Sequence, residues 1–304
     1  MKQTTKGWLN GFVGMLIFSG SLPATRLAVE SFDPVFVTAA RACIAGTLGL
    51  ALLAAFRPKH PTREEFLSLL IVAFGVVVGF PLLSAFALLS ITSADSLVFI
   101  GLLPLATAFF GMVRCKEYPS RGFWFFALAG SALVVTYALI GGGSLPIAGD
   151  LLMLAAIIVC GLGYAEGAKL SRRLGGWQVI SWALVLSLPL MLILLALSLS
   201  TVPKEVKPQA WGGLAYVSIL SMLIGFLFWY RGLAQGGIAA IGQLQLLQPF
   251  FGFFIAAALL HEAISWRMIV VASAVVLCVA GAKRLSPPMV SPSKLSPEEL
   301  PAES

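Results

Sequence analysis

The chain has 304 residues, of which 59% are hydrophobic and 11% charged, with a mean hydropathy of +0.96. Soluble domains carry about 25% charged residues. This composition cannot cover a water-facing surface and excludes a soluble globular protein. The net charge of +7 does not point to a nucleic-acid partner, because the basic residues lie in short loops between apolar stretches.

A helix needs about 20 apolar residues to cross a bilayer. Ten stretches meet that length or approach it: 8–29, 34–56, 66–88, 93–113, 123–140, 151–168, 179–200, 211–234, 238–260 and 266–282. The first has Lys2 and Lys6 ahead of it, as a signal peptide would. It is longer than a typical one and lacks a small-residue cleavage site, so it is expected to be retained. Cys43, Cys160 and Cys278 fall inside spans and Cys115 in a loop, which gives neither a disulfide framework nor a zinc site. From residue 285 the chain turns to Pro and Ser, a composition that buries too little apolar surface to fold.

Lys and Arg set the orientation. With a cytoplasmic amino terminus, fifteen of the twenty fall on the inner side, four on the outer side, and Arg41 lies within a span. Both termini are therefore expected in the cytoplasm, in a multi-pass plasma-membrane protein of the bacterial inner-membrane kind.

Two stretches share a plan. One runs FALLSITSADSLVFIGLLPLATAFFGMVRCKEYPSR from Phe86 to Arg121, the other WYRGLAQGGIAAIGQLQLLQPFFGFFIAAALLHEAISW from Trp229 to Trp266. In each, an acid follows a mid-span proline by thirteen positions: Glu117 after Pro104, and Glu262 after Pro249. The copies occupy the same place in the two halves, which points to duplication. Five spans per half is an odd number, so the halves run in opposite directions. The predicted fold is an all-α integral membrane protein of ten transmembrane helices, built as two inverted five-helix repeats. These repeats cover residues 1–145 and 146–284, followed by a disordered cytoplasmic tail at 285–304. Inverted repeats with a midplane site between them are common in secondary transporters.

The paired proline-then-acid helices, the run LLQPFFGFFIAAALLHEAIS, and VTAARACIAGTL after an Asp-Pro turn resemble the EamA-like ten-helix transporters of the drug/metabolite transporter superfamily. The resemblance spans about residues 8–284. It implies a carrier of small metabolites. Lys116 and His261 precede the acids where that family often has Gly, and Gln248 precedes Pro249 where many members have Glu. A glutamine does not titrate, so the resemblance carries no proton coupling to that position.

The residues suggest a site. Pro104 and Pro249 each free a carbonyl four residues back and bend their helices, which fits a cavity wall or a packing kink. Gln245, Gln248 and Gly252 share one helical face, and amides in lipid are costly, so that face should turn inward. Helix–helix hydrogen bonding would satisfy them equally well. Tyr164, Trp229 and Tyr230 could line an amphipathic cavity or anchor span ends at the interface. The charges at depth are Arg26, Arg41, Asp95, Glu166 and Lys169. Arg41 is expected to pair with Asp95 as an outer gate, although Asp95 in a first helical turn also suits the helix dipole. Lys169 is expected to snorkel. Glu166 is the best candidate for proton coupling, with Arg231 ending a helix on the same side. Gly75-Val-Val-Val-Gly79 and Gly163-Tyr-Ala-Glu-Gly167 are small-xxx-small patterns that let helices approach closely.

No GxxxxGK[ST], HExxH or GxSxG run is present, and His60 and His261 fall in loops. The expected function is a secondary transporter, an exporter of amino acids, amines or drug-like amphiphiles by alternating access. A channel or a receptor that transports nothing is the alternative, ahead of an intramembrane enzyme. No cofactor or metal is expected. The expected partners are a small-molecule substrate, the bilayer and a second copy of the chain in a homodimer.

Overall fold

Sequence-local signals place the helix ends. The computed structural model describes residues 3–115, 147–236 and 241–284, with separate positions between 122 and 136. Asp33 accepts from the Val35 backbone N–H at 2.8 Å, and Pro34 opens the helix that follows. Pro is favoured there because its missing N–H would be unpaired anyway. Thr62 and Glu65 form a reciprocal capping box at the next start. Arg57, at φ 44, and His261, at φ 53, turn the chain out of two helices in the left-handed region.

The described helices are α1 (Gln3–Ser19), α2 (Ser21–Val29), α3 (Pro34–Phe56), α4 (Arg63–Val72), α5 (Phe80–Ala87), α6 (Ser93–Ile100), α7 (Leu103–Cys115), α8 (Ile147–Leu174), α9 (Gly176–Ser198), α10 (Pro208–Ala215), α11 (Phe226–Gly236), α12 (Gln248–Leu260) and α13 (Trp266–Arg284). No strand occurs among the described residues. Several helices join end to end, giving, among the described residues, seven that are long and apolar enough to cross a membrane. They run over Thr5–Val29, Pro34–Phe56, Arg63–Ala87, Ser93–Arg114, Ala148–Leu174, Gly176–Thr201 and Pro208–Gly236. Leu244–Leu260 and Trp266–Cys278 are shorter apolar helices. Most of the predicted span at 123–140, together with Glu117 and the tail, lies outside the described residues.

Where spans are interrupted, the interruption differs from the expected proline kink. Pro104 does not bend a continuous helix. A turn at Gly101 and Leu102 ends α6, and Pro104 sits in the first turn of α7. Pro249 likewise opens α12, after a 3₁₀ stretch at Gly242–Leu247. A proline in a first turn loses no intrahelical bond, so each span is cut rather than strained. Two more spans carry wide π-helical segments, Ala73–Gly79 between α4 and α5 and Tyr216–Gly225 between α10 and α11. Such segments occur often at functional sites.

Tight crossings hold the bundle. The backbone of α1 meets that of α11 through glycine. A Cβ placed on Gly232 would lie 2.6 Å from the Gly11 nitrogen. The α4–α5 span meets α8 in the same way: a Cβ on Gly75 would lie 2.5 Å from the Val159 carbonyl and 2.8 Å from the Gly163 Cα. Both small-xxx-small patterns therefore fall in tight contacts, since a Cβ on Gly167 would strike the Tyr230 hydroxyl at 2.3 Å. Large apolar side chains such as Phe74, Leu197 and Phe254 point outward, as a lipid-facing surface requires.

Candidate functional site

The helix interruptions converge on one cavity. Its lining includes Phe18 from α1, Ser21 and Leu22 from α2, Arg41 from α3, and Ile100 and Leu103 from the cut between α6 and α7. Val76 and Phe80 come from the first π segment and the turn after it, Ser221 and Phe226 from the second, and Cys160 and Tyr164 from α8. Gln248 enters from the start of α12, beside Pro249. The space open to water centres is about 20 Å³, room for roughly one water. Organic ligands need about 300–1,000 Å³, so the walls must separate before one can enter.

Aromatic rings form one side. The Phe18 ring lies 4.9 Å from Phe226, 6.1 Å from Trp229 and 6.4 Å from Tyr164. Tyr164 lies 5.8 Å from Trp229. These rings are buried, as is Tyr230, so none is an interfacial anchor. Tyr230 stands behind the wall, 5.3 Å from Phe226, and its hydroxyl donates to the Gly163 carbonyl at 3.3 Å.

The polar atoms are incompletely paired. The Ser21 and Ser221 hydroxyls share a hydrogen bond of 2.7 Å. The Gln248 Nε2 donates to the Phe18 carbonyl at 3.4 Å, while its Oε1 has no partner. Gln245 is buried close to Tyr164, yet neither amide atom makes a hydrogen bond of normal geometry. The Trp229 Nε1 and Arg41 Nε are also buried without partners. Buried polar groups are normally paired; of these unpaired groups, Arg41 Nε and Gln248 Oε1 belong to residues that line the cavity.

Of the residues named from the sequence, Tyr164 and Gln248 line the cavity, and Trp229 and Gln245 lie close to Tyr164. The lining also takes in Phe18, Ser21, Ser221 and Phe226, which sequence reasoning did not name. The serines offered a weak signal, as hydroxyls inside apolar spans. Arg41 and Asp95 do not meet in this structure. Arg41 turns into the cavity. Asp95 binds at its own helix start, accepting from the Thr92 Oγ1 at 2.7 Å, while its backbone N–H donates to the same oxygen at 3.0 Å. Thr92 and Asp95 thus form a local cap at the start of α6.

Glu166 sits in a different set of contacts from the one expected. Its partner is not Arg231. The carboxylate accepts from the Ser68 hydroxyl at 2.6 Å, the Arg114 Nε at 2.8 Å and the Lys169 Nζ at 3.4 Å. Two cations and a hydroxyl surround the carboxylate, so Glu166 ties α4, α7 and α8 together. Lys169 thus turns part of its length to Glu166 instead of only snorkelling.

Glu262 does work the sequence did not announce. Its carboxylate accepts from the Ser93 and Ala94 backbone N–H groups at 3.0 and 2.8 Å and from the Ser93 hydroxyl at 2.8 Å. An anion here pairs orphan donors and suits the positive end of α6. Nearby, Arg26 donates to the Leu88 carbonyl just past α5. Glu262→Ala is expected to cost about 1–2 kcal/mol, read as a lowered Tm in detergent, with Glu262→Gln between it and the wild type. An unchanged Tm for the alanine variant would deny the cap any weight.

A solved crystal structure at 20% identity matches 92% of this chain and 99% of its own with a TM-score of 0.67, which places both in one fold. The chain is 63% identical over 287 residues to the uncharacterized transporter YdeK of Bacillus subtilis, covering 94% of this chain and 100% of that protein. It is 26% identical over 273 residues to the S-adenosylmethionine/S-adenosylhomocysteine transporter of Chlamydia trachomatis serovar D, covering 83% of this chain and 81% of that protein. The model of the EamA-like transporter family matches twice, over residues 5–137 and 147–282. The protein is a multi-pass membrane protein, and it belongs to the EamA-like transporter family.

Proposed function

We propose that the protein is a secondary transporter that exports small organic metabolites by alternating access. The observation that carries this reading is the cavity itself. It lies where four spans are interrupted, it holds unpaired polar groups, and it is too small for a substrate until its walls move. Segments with 3₁₀ or π geometry can re-form at little cost compared with a packed helix, which suits repeated opening.

In this reading Tyr164, Trp229, Gln245 and Gln248 contact the substrate, with Tyr230 supporting them. Pro104 and Pro249 fix the two cuts that shape the cavity. Asp95 with Glu262, and Glu166 with Arg114, sit at opposite ends of the Ser93–Arg114 span and close the two ends in turn. The chain forms ten spans as two inverted repeats, 1–145 and 146–284, with both termini and the 285–304 tail in the cytoplasm. The two family matches support the division, as do the π segment and the proline cut in each half. Amino acids, amines and drug-like amphiphiles fit a mostly apolar wall. The chlamydial relative is named as a transporter of S-adenosylmethionine and S-adenosylhomocysteine, which are themselves organic metabolites.

Counterflow in reconstituted vesicles tests this. Vesicles loaded with unlabelled amino acids or amines should take up the labelled compound saturably, and uptake should fall at least about tenfold when Tyr164 and Gln248 are both replaced by Ala. Flux that never saturates would identify a channel instead, and no flux across the panel would remove the transporter reading.

A further inference from the structure

We propose that Arg41 is the anion-binding residue of the cavity, and that the protein's ligand is a small organic carboxylate with an apolar body. This rests on the transporter reading for the cavity's role but not for the binding itself. Arg41 is only 4% exposed and lines the cavity from α3. Its Nε has no hydrogen-bond partner. Both ion pairs among the described residues belong to Glu166, so no carboxylate there answers Arg41. Among the described residues, the cavity lining holds no Asp or Glu. One fixed positive charge in an apolar chamber, without a counter-charge, is costly at membrane depth. A guanidinium presents a planar fork that matches a carboxylate in two places.

The surroundings define the rest of the ligand. Phe18, Tyr164 and Phe226 offer ring surface beside the charge. In the same lining, Gln248 Oε1 is an acceptor without a donor, its Nε2 being committed to the Phe18 carbonyl. A ligand that satisfies both groups carries a carboxylate and an N–H or O–H donor on an apolar or aromatic body. An amine without an acid would leave Arg41 unpaired and bring a second positive charge beside it.

The test is calorimetric titration of the purified full chain in low-chloride buffer. The probes share one body: phenylalanine, phenylalanine amide, phenethylamine and 3-phenylpropionate, with the leucine series alongside. The expected result is that the acids bind at least about tenfold more tightly than the amide and amine of the same body, the loss of one charge-assisted contact. Arg41→Gln should erase that ratio, and Arg41→Lys should keep part of it. The ligand-free Arg41→Gln protein should melt no lower than the wild type, because it sheds an unpaired buried charge. A structural arginine would behave oppositely. Acid and amide binding alike, no carboxylate binding better than its amide, a ratio that survives Arg41→Gln, or loss of folding in both variants would each overturn the proposal. Acid-selective binding without counterflow would remove the transporter reading and leave Arg41's assignment intact; counterflow without acid preference would do the reverse.

Discussion

Replacing Arg114 and Lys169 together with Met should lower stability by about 3–5 kcal/mol, and adding Glu166→Gln to that pair should restore most of it. The asymmetry comes from burial. The Glu166 side chain is 0% exposed, whereas those of Arg114 and Lys169 are 36% and 43% exposed. Removing the two cations strands a buried carboxylate with only the Ser68 hydroxyl for company. Removing Glu166 alone leaves two cations that can turn toward water, so Glu166→Gln by itself should cost less, about 1–3 kcal/mol. Thermal unfolding in detergent measures the set. An order in which Glu166→Gln is worse than the double cation variant would contradict the geometry.

Gly75→Leu should be strongly damaging, at or above the roughly 1–3 kcal/mol usual for overpacking. Even the Cβ would meet backbone, at the Val159 carbonyl and at Gly163. Backbone cannot rotate aside as a side chain can, so the α4–α5 span and α8 must separate. That separation would also pull Ser68 from Glu166 and Val76 from the cavity wall. Gly75→Ala should lose less, and Gly212→Ala, where nothing lies within 4 Å of the added atom, should be silent. Yield of monodisperse protein and its Tm check the ranking. A Gly75→Leu protein as stable as Gly212→Ala would mean that this crossing has slack.

The sequence made the spans legible because a bilayer demands long apolar runs and little else does. It also located both proline cuts, since Pro104 and Pro249 interrupt apolar runs at matching places. It did not reveal that they open new helices, because that depends on how the preceding turn closes. The apolar cavity residues were invisible for a physical reason. Every face of a membrane helix is apolar, so Phe18 and Phe226 carry no periodic contrast to mark which way they point. Charge partners were misjudged for a different one. Glu166 had Arg231, Arg114 and Lys169 on the same side, and only packing chooses among them. Glu262 reaches Ser93 across 169 positions, a contact no spacing rule contains.

The two wide segments, Ala73–Gly79 and Tyr216–Gly225, have a geometric consequence for the surfaces of their spans. A π turn holds more residues than the α turn it replaces, about one extra. Each residue advances an α-helix by about 100°, so the stripe of residues on one side of the bulge does not continue on the other. The lipid-facing side of α4 and that of α5 are therefore out of phase along a single span, and likewise those of α10 and α11. That phase slip lets one continuous span grip a neighbour with one end while its other end, carrying Phe80 or Phe226, presents a different flank to the chamber.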